Sequence, residues 1–467
     1  MKRVIALSIA LLVLLIAITS ALSLKIDAQK DDVRFDENIL FGDPASLEGL
    51  CVGMRAHYDD RLYWNVKYDP AASAVMECDY RFSLSDLHEY GPYEHSGLSM
   101  YVSYFYEWDT DTPIEELEGL SIAYRELYDA TPEGEEVEKS VYVKDYYEYY
   151  PLAFHIDLPS TVWASLRPSG EIGFRPGDEL YEYKRLCEYF KIPVLPYDKV
   201  TVTVDKDKSN GVMAQQGGSD SLSLYTRSTY TDDGVCYFSI YNRTNNGELI
   251  DTSHIPGGYG IYAVNFGRDT GVYDSGVYAD SLRTVYALDE NVIVKHITTN
   301  KSQTKLLLFT LEDDLSASYL TVIDIATMKE EQKLHIYDYD VYETFEYEDF
   351  LVVYASDMLI LLEVDASGEY KVKFSVPVPY AVDERFTYLD TLARMDYDGE
   401  RLAVVGALED NRYGTFDLCG FYLAVYDESG LVFYGEYNSS LSANPRLTRY
   451  DFNCLPSGTY AFDVEWN

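Results

Sequence analysis

The chain has 467 residues, with 37 Lys and Arg against 79 Asp and Glu, a formal charge of −42 and a pI near 4.3. Proteins that hold nucleic acid neutralise phosphate with cations, and anionic bilayers attract basic segments, so this charge argues against both as partners. Hydrophobic residues make up 47% and aromatics 15%, with 46 Tyr, which is enough apolar surface for a core and argues against disorder.

The first element is apolar. Met1-Lys2-Arg3 is a short basic start, and Val4 to Leu24 carries no charge before Lys25. Twenty-one residues of helix at ~1.5 Å each reach roughly 31 Å, the thickness of a hydrocarbon core. The reading is a signal peptide or signal anchor over 1–27, with a linker over 28–45. Thr19-Ser20-Ala21 and Ala21-Leu22-Ser23 offer small residues at cleavage-like spacing. Either way the chain after Lys25 is predicted to be extracytoplasmic. It is then either a single-pass protein with its N-terminus inside or a secreted one after cleavage. No Cys precedes Cys51, so a lipid-modified Cys behind the signal is not expected. Leu158-Pro159-Ser160-Thr161-Val162 lacks the final Gly of a sortase signal.

From Leu50 onward the pattern is one of short alternating runs broken by Gly, Asp, Asn and Pro. Strands are predicted over 99–106, 141–147, 200–204, 237–241, 261–266, 292–297, 319–325, 350–354, 358–364, 402–405 and 421–426. Turns are predicted at Asn245-Asn246-Gly247, Asp365-Ala366-Ser367-Gly368 and Asp427-Glu428-Ser429-Gly430. Beyond the first segment, only 178–191 reads as a helix: Leu180, Tyr183, Leu186 and Phe190 share a face, and Pro193 follows. An acidic turn leads into an apolar run at Val235, Val292, Leu351 and Leu402, spaced by 57, 59 and 51 residues. Going backwards, Leu180, Leu120 and Leu62 extend the series at 55, 60 and 58.

Repeats of this length with about four strands each resemble β-propeller proteins in general, without pointing to one family. The resemblance implies an all-β propeller of about seven blades behind the N-terminal helix, with a central channel and two loop-rich faces. It implies no reaction. A second register competes with it. Leu47-Glu48-Gly49-Leu50-Cys51-Val52 resembles Leu117-Glu118-Gly119-Leu120-Ser121-Ile122 at an offset of 70. On that alternative an internal duplication forms an N-terminal β domain over about 45–195, and a smaller propeller follows. The domain reading is therefore a β-rich part over 46–195 and a propeller-like part over 196–467.

Candidate sites are few. Asp205, Asp207 and Ser209 alternate like oxygen ligands before Gly211, so calcium is a possible cofactor. An EF-hand, however, has Gly at position six and Glu at twelve, and here Gln216 holds the twelfth place. A solvated hairpin is the plainer reading. His88 and His95, with Glu89 and Glu94 between them, are the other metal candidates. No other cofactor is expected. Cys51 with Cys78 and Cys419 with Cys454 are the closest pairs among six Cys and the candidate disulfides, with buried thiols as the alternative. The run Asp145-Tyr146-Tyr147-Glu148-Tyr149-Tyr150 is a candidate aromatic binding patch, since tyrosine faces beside carboxylates suit sugars and cations. The alternative is that these rings pack between strands. No catalytic signature is present in the sequence, which leaves catalytic residues unassigned. The expected function is a non-enzymatic, membrane-tethered propeller that binds an extracytoplasmic protein or glycan and touches the membrane only through its N-terminal helix. The runner-up is a secreted glycan hydrolase with paired carboxylates.

Overall fold

A computed structural model describes residues 11–21, 24, 33–58, 62–82, 95–104, 113–159, 164–166, 178–206, 213–216, 222, 224–267, 276–312, 317–347, 349–355, 358–378, 393–410, 417–440 and 462–467. Helix α1 covers residues 11–21. The strands that follow are β1 (Phe35–Gly42), β2 (Leu50–Tyr58), β3 (Leu62–Asp69), β4 (Ala74–Phe82) and β5 (Gly97–Val102). Then come α2 (Leu120–Ala130), β6 (Glu136–Tyr142), β7 (Leu152–Asp157), β8 (Ala164–Leu166), α3 (Asp178–Tyr189), β9 (Lys199–Asp205) and β10 (Met213–Gln216). The middle of the chain holds β11 (Thr226–Thr231), β12 (Val235–Ile240), β13 (Gly260–Phe266), β14 (Val277–Ala287), β15 (Val292–Thr299), β16 (Lys305–Glu312), β17 (Ser318–Asp324) and β18 (Lys329–Tyr337). The last strands are β19 (Glu343–Glu346), β20 (Phe350–Ala355), β21 (Met358–Val364), β22 (Tyr370–Pro377), β23 (Arg394–Tyr397), β24 (Leu402–Asp410), β25 (Asp417–Asp427), β26 (Gly430–Ser439) and β27 (Phe462–Trp466).

Among the described residues these strands make seven sheets. Three run in chain order as four-stranded meanders, β11 to β14, β15 to β18 and β19 to β22. Two others are closed by the chain ends, β27-β2-β3-β4 and β1-β26-β25-β24-β23. The remaining two have three strands, β5-β7-β8 and β10-β9-β6. The fold is all-β and of propeller type, built from small antiparallel blades.

Aspartate builds the hairpins. The Oδ1 atoms of Asp69, Asp251, Asp289, Asp365, Asp398 and Asp427 each accept the N–H two residues on, at 2.7–3.0 Å. A short acceptor that folds back on its own backbone closes a turn, and it does so with any following strand. That explains the sequence spacing. Val235, Val292 and Leu402 each open a strand, but β12 and β24 are second in their sheets while β15 is first. The acidic turn marks strand starts, not one fixed place in a blade.

The chain forms two compact units. The first comprises 1–94, 357–363 and 372–467. Within it β27 lies along β2 from Leu50↔Trp466 to Met54↔Phe462, and β1 lies along β26 from Phe35↔Ser439 to Gly42↔Phe433. Its core is aromatic: Phe421 stacks on Tyr437 at 4.7 Å, and Phe35, Tyr68 and Phe462 meet Phe421 at 5.4–6.3 Å.

The second unit comprises 95–356 and 364–371. It holds α2 and α3. Residues 178–189 are helical as the spacing requires, but α2 is a correction. Its buried face of Leu120, Ala123, Tyr124 and Leu127 has helical spacing, so Leu120 opens a helix where the acid-led series predicts an apolar strand. The offset-70 likeness therefore joins strand β2 to helix α2 and is not a structural repeat. The run 141–147 also departs from expectation: β6 stops at Tyr142 and a single 3-10 turn, Val143–Asp145, follows. Two strands at the ends of their sheets are tied by side chains. Leu98 N–H donates to Ser228 Oγ at 3.1 Å, and Met100 N–H donates to Thr226 Oγ1 at 2.8 Å, tying β5 to β11.

Candidate functional site

The expected aromatic patch is part of the core. Tyr150 is 3% exposed and donates to Asp198 Oδ2 at 2.8 Å. Asp198 is fully buried and also accepts from the Tyr104 hydroxyl at 3.3 Å. Burial, reinforced by that carboxylate, holds the Tyr150 hydroxyl protonated far above the usual phenol range. The Tyr147 hydroxyl accepts the Leu120 N–H at 3.0 Å and so caps the first turn of α2. Tyr146 packs against the same core, and Tyr149 meets the His254 ring at 5.7 Å and the Lys191 ammonium at 5.8 Å. Tyr146, Tyr147 and Tyr150 thus belong to the core, and Tyr149 stays half-buried at its edge.

His95 finds a partner that the sequence did not suggest. Its Nδ1 donates to Asp157 Oδ1 at 2.8 Å, at the end of β7. Asp157 Oδ2 accepts both the N–H and the hydroxyl of Ser96, at 2.9 and 3.0 Å. The carboxylate is buried and fixes the imidazole, a common way of orienting a histidine. Ser96 bonds the acid rather than the imidazole, so the trio orients a ring and does not activate a hydroxyl. Only the 62-residue separation of His95 and Asp157 hid this pair.

A second polar group lies on β15, on β19 and on the connection that leads into β19. Lys295 bonds Asp340 at 2.7 Å, and the Thr298 hydroxyl donates to Glu346 at 2.9 Å. Burial pushes the Glu346 carboxyl up to about 7, opposed by that hydroxyl. Burial, helped by the Arg227 charge, pushes His296 down to about 4. A carboxyl that keeps its proton near neutrality is what a general acid needs, but glycoside hydrolysis also needs a second acid at roughly 5–10 Å. The Glu346 shift arises from burial alone, which is as well explained by packing.

The other candidates divide between sheet positions and residues outside the description. Asp205 is a buried strand residue paired with Met213 and Glu136, while Asp207 and Ser209 lie outside the described residues. His88 and Cys454 lie outside them too, as does the Cys419 side chain. Cys51 and Cys78 sit on β2 and β4 with β3 between them. Two strand spacings are about 9.5 Å, beyond disulfide reach, so the sheet does not join this pair. Cys187 and Cys236 are thiols that burial pushes up to about 11 and about 12. Among the described residues no group of three or more His, Cys, Asp or Glu is placed to hold a metal ion.

Exposed tyrosines lie elsewhere. Tyr339 is 63% exposed and Tyr342 58%, on the connection between β18 and β19. The run Tyr337-Asp338-Tyr339-Asp340-Val341-Tyr342-Glu343 was the signal available in the sequence.

No protein-family model matches the chain, and no curated protein matches it. Solved structures similar to it include a proposed 6-phosphogluconolactonase from Bacteroides fragilis, at 9% identity and TM-score 0.31 over 84% of this chain and 95% of that one. The Swd1 β-propeller domain of Myceliophteria thermophila is similar at 10% and 0.27, over 85% and 88%. Apo AztD from Citrobacter koseri is similar at 12% and 0.25, over 84% and 98%. Likenesses this distant carry no functional argument.

Proposed function

We propose that this protein is an exported, membrane-tethered propeller that works by binding a protein or glycan outside the membrane, without catalysis. The observation that carries the reading is the display of tyrosine among carboxylates on connections of the second unit. Tyr339 and Tyr342 stand out from the residues around Asp338 and Glu343, and Tyr197, 44% exposed, bonds Glu248. Tyr is enriched at interfaces because its ring supplies apolar area and its hydroxyl tolerates water. The tether rests on α1, whose Leu11, Leu12, Val13, Leu14, Leu15 and Ile16 are each 55–61% exposed. Among the described residues no helix is long and apolar enough to cross a membrane. The reading also takes in the uncharged run of sequence from Val4 to Leu24.

Membrane fractionation tests the tether. The full chain should stay with membranes after an alkaline carbonate wash, and a variant lacking 1–27 should be released. Capture from cell-envelope extract tests the binding role, a saturable partner being expected. Release of reducing sugar from envelope polysaccharide by the purified protein would overturn it in favour of the hydrolase.

A further inference from the structure

We propose that residues 337–343, joining β18 to β19, are the docking surface of this protein, and that the partner is a protein segment bearing lysine or arginine. The inference rests on the binding reading above and narrows it to one surface and one chemistry.

The segment is held in place while its rings remain outside. Val341 is 3% exposed and anchors it to the core. The buried Ser318 hydroxyl donates to the Tyr339 carbonyl at 2.5 Å, the Lys295 ammonium holds Asp340, and Tyr342 N–H donates to the Tyr354 carbonyl at 2.9 Å. Around these anchors the Tyr337 and Tyr339 rings lie 5.7 Å apart, and the Tyr342 ring lies 6.1 Å from Tyr354. A surface fixed before the partner arrives loses less entropy on binding.

The chemistry around it already accepts cations. On the adjoining strands the Lys333 ammonium sits 4.6 Å from the centre of the Tyr319 ring. Next to it the His335 ring meets Tyr319 at 5.4 Å and Asp338 at 3.1 Å. Tyr339 and Tyr342 offer the same kind of ring face, with Asp338 and Glu343 beside them and no counter-cation from the described chain placed over either ring. Cation–π attraction and carboxylate pairing both select Lys and Arg. A net charge of −42 adds long-range steering of a basic partner. A neutral glycan could also stack on the rings and donate hydroxyls to the acids, but it gains nothing from the net charge of −42, which favours a basic segment.

The test titrates the full chain in detergent with a fluorescent peptide of alternating lysine, arginine and serine, and in parallel with a neutral chitin oligosaccharide. The peptide should bind saturably and weaken as salt rises. The double variant Tyr339→Ala/Tyr342→Ala should lose about tenfold or more in affinity, and Asp338→Asn a smaller factor. Met76→Ala, at an exposed apolar position of the first unit, should change nothing. Circular dichroism melting of each variant separates lost binding from lost fold. Peptide affinity unchanged in a folded double variant overturns the surface. Oligosaccharide binding that depends on Tyr339 and Tyr342, in place of peptide binding, overturns the chemistry. If envelope capture recovers a saturable partner equally well with the double variant, the binding role stands and this assignment alone fails.

Discussion

Two segments of this chain share a composition and have opposite fates. Asp145-Tyr146-Tyr147-Glu148-Tyr149-Tyr150 turns three of its four rings, Tyr146, Tyr147 and Tyr150, into the core, whereas Tyr337-Asp338-Tyr339-Asp340-Val341-Tyr342-Glu343 leaves Tyr339 and Tyr342 in water. The difference lies in what each segment connects. The first runs between β6 and β7, under α2, where buried Val143 and Leu152 bracket it and an internal acid waits for a phenol. The second passes from one four-stranded sheet to the next, and Val341 is its only buried residue. Tyrosine is neutral between these outcomes, because its ring can be buried once its hydroxyl has a partner.

The largest effect should come from removing the partner of the buried phenols. Asp198→Ala leaves the Tyr150 and Tyr104 hydroxyls without this acceptor inside the core. A loss of about 3–5 kcal/mol is expected in chemical denaturation. A loss below ~1 kcal/mol would mean that the acid does not hold the segment inward.

Gly119→Ala should follow at about 2–4 kcal/mol. Gly119 has φ +57°, and an added Cβ would fall inside contact distance of the Tyr147 hydroxyl and ring. The backbone needs a residue free of a side chain, and Tyr147 occupies the space. Adding Tyr147→Ala should restore part of the loss, since it removes the collision but not the backbone strain. A double variant no better than Gly119→Ala would reject the collision as a cause.

The comparison also shows how far the sequence could be read. Strand runs such as 237–241 and 402–405 were legible because a buried strand reads as a short apolar, β-branched or aromatic run bounded by turn residues, and the turns at Asp365 and Asp427 were legible because Asx chemistry is local. α2 runs against the acid-led series through Leu120, because the helical spacing of Leu120, Ala123, Tyr124 and Leu127 outweighs that series. The His95–Asp157 pair and the Asp198 cluster were not legible, because their members are 62 and 48–94 residues apart and only folding brings them together. The sequence reading singles out the run 145–150 and passes over 337–343, since composition carries no sign of which tyrosine-rich run has a core to enter.

Beside the exposed segment, two buried groups make opposite pH slopes. Glu346 rises from 4.5 to about 7 on folding, so the folded state binds more protons and its contribution to stability falls as pH rises between those values. His296 falls from 6.5 to about 4, so the folded state binds fewer protons and its contribution rises with pH over nearly the same window. The wild type should therefore show a shallow net dependence from these two groups between pH 4.5 and 6.5. Glu346→Gln should expose the His296 slope, with stability gained as pH rises. His296→Gln should expose the Glu346 slope, with stability lost as pH rises, on the order of 2 kcal/mol across the window. Denaturation at four pH values for the three proteins checks the signs, and identical profiles would refute the pairing.

The smallest effect sharpens the contrast most. Tyr339→Ala and Tyr342→Ala should each change stability by no more than about 0.5 kcal/mol, the range for exposed positions. Both rings are more than half exposed, and the bonds that anchor their segment run through main-chain atoms, Asp340 and Val341. The same substitution at Tyr150 removes a buried ring and its bond to Asp198 and should cost about 3–5 kcal/mol. A single residue type thus gives a near-zero effect in one segment and a disabling one in the other, and a large loss at Tyr339 would place that ring in the fold rather than on the surface where a partner docks.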